Sequence, residues 1–289
     1  MKQFPKVNIV VLNYNGKDCL RQCLTSLFCL DYPNLEVVVV DNASDDGSLE
    51  AARLDFSRVT YIKNEQNLGF SAGNNVGIKY SLEKMADFVL LLNNDTEVEK
   101  AFLTKLVNRA LSNSNIGIFS PLIFFRETEQ AWFSGGRIDW LRMKSLHNKE
   151  SLKQDFSDTD FISGCAMLVR KEVFAKIGLL DEDFFLYWED ADFSVRAKRA
   201  GFGLLVVADS VIRHFEKSEK NKKNKTYWLV LSGLLFFQKN AKNWLKTWNY
   251  VYILLRRLKN WNDVRKNRTE LCLAVQKAYR DFLSVKRIK

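Results

Sequence analysis

Residues 89–98 read VLLLNNDTEV. Val89 to Leu92 suit a strand buried on both faces, and two amides and a carboxylate then follow without a break. A turn needs only one or two such residues. Three at one strand end suggest that the strand delivers polar groups to a site, and the surrounding pattern says what sheet it belongs to. Val7–Tyr14 (VNIVVLNY), Leu35–Val40 (LEVVVV) and Val59–Lys63 are further strands, the first two near-continuously apolar as in a parallel sheet covered on both faces. Helical patterns separate them. Leu20, Leu24, Leu27 and Phe28 mark one apolar face; Ser44, Asp45 and Asp46 offer caps before LEAARL; and NEQNLGFSAGNN opens a helix through NNVGIKYSLEK. Repeated strand–helix alternation predicts an α/β fold with a doubly wound, mostly parallel, Rossmann-like sheet.

Ligands of such sheets bind beyond the carboxyl ends of the strands. Tyr14 and Asn15, Asp41 and Asn42, and Asn93 to Asp95 all fall there. Neither G-x-G-x-x-G nor G-x-x-x-x-G-K-[ST] occurs, so a dinucleotide fold and a P-loop are unsupported. Farther on come a helix (EKAFLTKLVNRAL), a strand near Ile116–Ser120 and a less regular stretch at 121–160. FISGCAMLVRKEVFAKIG reads as a strand running into a helix, and LDEDFFLYWEDADFSVRAKRAG as an acidic, aromatic loop entering another.

The chain has 289 residues, 47% of them apolar, with three prolines and 13 glycines, enough for one large domain and an appendage. Five cysteines without C-x-x-C spacing read as core thiols of a reducing compartment. The N-terminal apolar run is too short for a signal peptide, so a cytoplasmic location is expected. Charge divides the chain. Residues 1–212 carry 24 Lys+Arg against 29 Asp+Glu, a net −5; residues 213–289 carry 20 against 5, a net +15. A domain at 1–215 and a basic, aromatic-rich helical extension at 216–289 follow. The extension's longest uncharged run, Thr226–Gln238, is shorter than the roughly 20 residues that span a bilayer. Its mixture of basic residues with Trp228, Phe236, Phe237, Trp244, Trp248 and Tyr252 predicts docking on an anionic membrane surface, peripheral and on the inner face. Packing of its apolar face on the first domain is the alternative. No nucleic-acid module accompanies the charge, so nucleic acid is not an expected partner.

The ordered set VVLNYNG, VVVVDNASDDGS, NLGFSAGNNVG, LLLNNDTEV, ISGCAMLVRKEVF and FFLYWEDADFSVRAKRAGF resembles the family 2 glycosyltransferases, above all the rhamnosyltransferase-like ones, over about residues 5–215. The resemblance implies a GT-A fold and inverting transfer of a sugar from a nucleotide-diphosphate donor to a glycan or glycolipid hydroxyl, in surface polysaccharide assembly. It implies that Asn93–Asp95 stands for the family's D-x-D element. Asp95 would then ligate Mg²⁺ or Mn²⁺, with His214 at the second metal position and Asn94 near the ribose. Asp41 would read the base and Tyr14 stack on it, with Asn67 also binding nucleotide. In the catalytic element WED, Asp190 would be the base that deprotonates the acceptor. Glu189 would orient the acceptor or partner that base, and Trp188 would offer its face to a sugar ring, core packing being an equal reading. Two other classes compete. A nucleotidyltransferase should carry a Gly- and basic-rich phosphate loop, which NYNGKDCL is not, and a membrane-bound scaffold has no need of Asp95, Asp190 and His214 together.

Overall fold

The structure, a computed structural model, describes residues 4–215 and 222–285. The four expected strands are β1 (Val7–Asn13), β2 (Leu35–Asp41), β3 (Thr60–Lys63) and β4 (Phe88–Asn93), paired in parallel in the order β3-β2-β1-β4. Between them run α1 (Leu20–Leu27), α2 (Ser48–Asp55) and α3 (Gly69–Glu83). Leu20, Leu24 and Leu27 are buried as their spacing predicts. Phe28 instead follows the helix, half exposed against Phe56. Burial on both sides explains the strands: every side chain from Val7 to Val11 and from Val38 to Val40 is inaccessible or nearly so, the condition of a sheet covered on both faces.

The second half of the sheet departs from a purely parallel plan. After β5 (Thr96–Val98) and α4 (Phe102–Ser112), β6 (Ile116–Phe125) extends five residues beyond the expected strand. It passes Pro121 where the register against its parallel neighbour shifts, a place where a missing N–H is tolerated. β7 (Ala131–Phe133) and a hairpin of β8 (Gly136–Asp139) and β9 (Lys144–His147) give order to the stretch read as irregular. β10 (Ala166–Arg170) then inserts antiparallel between β4 and β6, and α5 (Lys171–Ile177) and α6 (Glu189–Arg199) lead to β11 (Gly203–His214). β11 lies parallel to β6 and antiparallel to β5, completing the order β3-β2-β1-β4-β10-β6-β11-β5.

The C-terminal helices are α7 (Lys222–Asn240), α8 (Asn243–Asn267) and α9 (Glu270–Val285). The expected boundary at 215/216 does not part the core, because Phe236 and Phe237 of α7 are fully buried in the main cluster with Trp188. α7 is apolar on most of its circumference around 228–237, the mark of a helix packed within a protein. Phe236→Ala is expected to destabilise the whole chain by about 3–5 kcal/mol, as for other fully buried phenylalanines. A denaturant titration showing less than about 1 kcal/mol would make α7 an independent appendage. α8 differs: Trp244, Trp248, Val251, Leu255 and Leu258 recur at helical spacing and are 39–66% exposed. Among the described residues no helix is long and apolar enough to cross a membrane.

Candidate active site

The sheet register places the polar strand ends side by side, with Asn13 beside Asp41 and Leu12 beside Asn93. Asn13 ties the rim together. Its Nδ2 donates to Asp41 Oδ1 (2.8 Å), Ser48 Oγ (2.9 Å) and Ser44 Oγ (3.1 Å), and its Oδ1 accepts from Asn94 Nδ2 (2.8 Å). Gly16 passes so close that a Cβ would collide with both amides of the Asn13–Asn94 bond. Sequence reasoning passed over Asn13; the available signal was an amide at the last inward position of an otherwise aliphatic strand.

Asp41 lies at the inner edge of the rim. It is fully buried, and its carboxylate already accepts from Asn13, from the Ser44 hydroxyl (2.6 Å) and from the Ser44 N–H (3.0 Å). In this structure it shapes the β2–α2 loop, and Oδ2 accepts only the Ser44 N–H. Tyr14, half exposed beside that loop, is free to stack. Asn67 is half-buried; its Oδ1 accepts from the Gly69 N–H (2.9 Å) and from Asn42 Nδ2 (3.3 Å), fixing the start of α3.

Asp95 occupies the turn between β4 and β5, and β5 pairs with β11 so that Thr96 lies beside His214. The Phe215 N–H donates to the Asp95 carbonyl (2.8 Å), which closes the arrangement. His214 is buried beneath Trp132, whose ring centroid is 4.5 Å away. His214 Nε2 stands 3.2 Å from Asp95 Oδ1. No hydrogen bond joins them: this buried oxygen lacks a partner among the described residues, as does the other ring nitrogen, His214 Nδ1. Asp95 Oδ1 and His214 Nε2, 3.2 Å apart, are a carboxylate oxygen and an imidazole nitrogen close enough to be two ligands of one divalent cation. No cluster of three or more His, Cys, Asp or Glu able to hold a metal occurs among the described residues. Phosphate oxygens and water would therefore have to complete the shell of Mg²⁺ or Mn²⁺.

The WED element forms a strained turn. Tyr187 and Trp188 both have positive φ, 66° and 71°, each costing about 1–3 kcal/mol for a non-glycine residue. Two flanking elements hold them there. The Phe70 N–H donates to the Phe185 carbonyl (2.7 Å), and Asn75 clamps Leu180 through both its amide atoms. On the other side Ser232 Oγ donates to the Leu186 carbonyl (2.7 Å), and Trp188 Nε1 donates to the Leu229 carbonyl (3.1 Å). Gly233 admits the indole, where a Cβ would come within 3.1 Å of Nε1. Trp188 is therefore buried against Phe236 and Phe237, at 4.9 and 5.1 Å, and its ring is closed to a stacking sugar; the packing reading holds.

Beyond the turn, Asp190 Oδ2 accepts the Gly164 N–H (2.9 Å) and Oδ1 the Ala191 N–H (2.7 Å). Glu189 is buried, and its Oε2 has no hydrogen-bond partner among the described residues. Burial, and then the charge of Asp190, push the Glu189 carboxyl well above its ordinary range. Burial also raises Asp190, against the opposing pull of its two backbone N–H donors. Asp192 is structural, held by Arg196 (2.7 Å) and Asn240 (2.7 Å). A carboxyl whose folded pKa is raised contributes stability below its unfolded pKa, about 4.5, and loses it as pH rises through the folded value. Glu189→Gln should therefore raise the melting temperature at pH 8 relative to the parent chain and change it little at pH 4. A lower melting temperature at pH 8 would contradict this.

The fold and this rim define the GT-A glycosyltransferase class. A mannosyltransferase from Pyrobaculum calidifontis, solved with GDP-Man and Mn²⁺, superimposes with a TM-score of 0.62 at 15% identity, over 99% of this chain and 88% of that one. Residues 8–178 match the model of glycosyl transferase family 2, and the chain belongs to that family. Among curated relatives, a low-salt glycan biosynthesis hexosyltransferase of Haloferax volcanii is 29% identical over 78% of this chain and 72% of its own. The N-acetylglucosaminyl-diphospho-decaprenol L-rhamnosyltransferase of Mycobacterium tuberculosis is 25% identical over 71% and 75%. The chain is thus an inverting glycosyltransferase of glycan biosynthesis.

Proposed function

We propose that the enzyme moves a hexose or deoxyhexose from a nucleoside-diphosphate donor to the hydroxyl of a lipid-linked glycan. The observation that carries the reading is the presence, in one fold, of a carboxylate–imidazole couple without a hydrogen bond between them and of a turn bearing two adjacent carboxylates, Glu189 buried and Asp190 half-buried. Asp190, ionised and held by two N–H groups, accepts the acceptor's proton as that oxygen attacks the anomeric carbon opposite the departing nucleotide. Protonated Glu189 donates a hydrogen bond within the same turn and adds no second negative charge. Asp95 and His214 would hold Mg²⁺ or Mn²⁺, which would neutralise the charge developing on the leaving diphosphate. Tyr14 stacks on the base while Asn94 and Asn67 hydrogen-bond the nucleoside, on a loop set by Asp41. A scaffold with no catalysis would gain nothing from a buried, unpartnered Glu189 that lowers its stability. Hydrolysis of nucleotide sugars by the purified chain, with and without divalent metal, tests the reading; no release from any of the common donors would refute it.

We further propose that residues 1–215 carry the transfer chemistry and that 216–289 dock on the cytoplasmic membrane face, α7 being common to both tasks. The exposed stripe of α8, flanked by Arg257, Lys259, Arg265 and Lys266, supports this. Phe236 and Phe237 are interior and take no part. Val251→Glu with Leu255→Glu should cut pelleting with phosphatidylglycerol vesicles at least tenfold, and salt should weaken the parent's binding without abolishing it. Unchanged pelleting of the double variant would remove α8 from the membrane.

A further inference from the structure

Between α7, α8, α9 and the β8–β9 hairpin lies a cleft of about 350 Å³. Trp188 is part of its wall, with Leu234 and Ile253 beside it, so much of the wall is apolar, and Trp188 immediately precedes Glu189 and Asp190 in the chain. Three cations line the same cleft: Arg142 and Lys144 from the hairpin and Arg256 from α8, all exposed. Among the described residues no aspartate or glutamate lines it. Arg142 has only Asp139, 3.9 Å away on its own turn, and neither Lys144 nor Arg256 has a carboxylate within ion-pair distance among the described residues. Arg256 is instead held over the Tyr252 ring, 5.8 Å from its centroid.

Apolar walls with three cations, only one of them paired and that at 3.9 Å, match an anionic head carrying an aliphatic chain. We propose that this cleft binds the diphosphate head and first chain carbons of the lipid-linked acceptor, an inference that rests on the acceptor class given under Proposed function. Two arguments favour the acceptor over bulk membrane lipid. A diphosphate diester brings two negative charges to three cations, where a phospholipid such as phosphatidylglycerol brings one. The wall residue Trp188 also belongs to the turn that carries Asp190, so a head held here touches the same structural element as the base. The volume is at the low end for small-molecule sites, about 300–1,000 Å³, and suits a head group rather than a whole lipid. The chain's remainder would leave past Tyr252 and Arg256, along the α8 stripe of Val251 and Leu255.

Farnesyl diphosphate is the probe, titrated calorimetrically into the full chain in EDTA so that metal-assisted diphosphate binding at Asp95 and His214 is suppressed. It should bind at least tenfold more tightly than either inorganic diphosphate or farnesol. Lys144→Glu with Arg256→Glu should weaken it at least tenfold, as should Arg142→Glu with Lys144→Glu, which leaves α8 untouched. Equal affinity of parent and both variants, or equal affinity for farnesol, would overturn the proposal. So would displacement of farnesyl diphosphate by short-chain phosphatidylglycerol at equal concentration, which would make the cleft a site for bulk lipid. Donor hydrolysis is measured on the same parent preparation. Hydrolysis without farnesyl diphosphate binding would refute the cleft and leave the glycosyl-transfer reading standing.

Discussion

Asp190→Asn is expected to bind the nucleotide sugar as the parent does and to lose turnover by about 10²–10⁴, the usual contribution of a positioned general base. The amide keeps the shape of the side chain, and its oxygen can still accept the Gly164 or Ala191 N–H. It cannot accept the acceptor's proton. Its effect should therefore fall on kcat and leave donor affinity alone. Folding should not suffer either, because the raised Asp190 carboxyl shows that burial penalises the charge that the variant removes. Steady-state kinetics paired with donor calorimetry decide the point. Parent-like kcat would move the base elsewhere, with Glu189 the nearest candidate.

Removing metal should be nearly as costly. Nucleoside diphosphate affinity should fall at least 10–100-fold in EDTA, a range that loss of even an outer-shell partner of a metal produces. Asp95→Ala should produce a similar fall in excess Mn²⁺. The reason lies in the protein's own geometry. Asp95 Oδ1, 3.2 Å from His214 Nε2, is buried without a hydrogen-bond partner among the described residues, which costs about 1–3 kcal/mol unless something binds there. A useful corollary is that Asp95→Ala, by removing an unpaired buried oxygen, should not lower the melting temperature of the metal-free chain. Equal calorimetric affinity in EDTA and in Mn²⁺ would show that the pair holds no cation.

How much of this was legible beforehand depended on the kind of signal. The first four strands were plain, because Val7–Val11, Leu35–Val40 and Phe88–Leu92 are apolar runs that nothing but a doubly covered sheet accommodates. The antiparallel insertion of β10 was not, since AMLVR says strand and carries no information about direction or neighbours. Asp95 could be picked out as a polar residue at a strand end. Its meeting with His214, 119 positions away, depends on β5 folding back to pair with β11, and only the family resemblance pointed to it. Trp188 was ambiguous because a flat apolar ring serves equally for a sugar or for a core. Gly233 decided the matter by opening room for the indole, a contact no local pattern encodes. The extension misled in another way. Trp228, Phe236 and Trp244 have similar composition around them, yet α7 turns its aromatics inward and α8 turns its own outward.

The packing of α7 against the catalytic turn bears on how such enzymes can be recombined. The turn at Tyr187–Trp188 is strained, and half of the groups that hold it, Leu229, Ser232 and Gly233, come from α7. Lys239 adds a bridge to Asp181 and Asp183, and Asn240 one to Asp192. A chimera spliced at residue 215, where charge and motif content invite the cut, would give the catalytic turn a foreign buttress. Its rate would then change with the choice of donor helix even if every residue of the sugar-transfer site were kept. A splice after Asn240 would keep these α7 groups on the turn and exchange α8 and α9, so the new segment would have to supply a face to replace Ala278, Tyr279 and Phe282, which pack on Leu231 and Leu234.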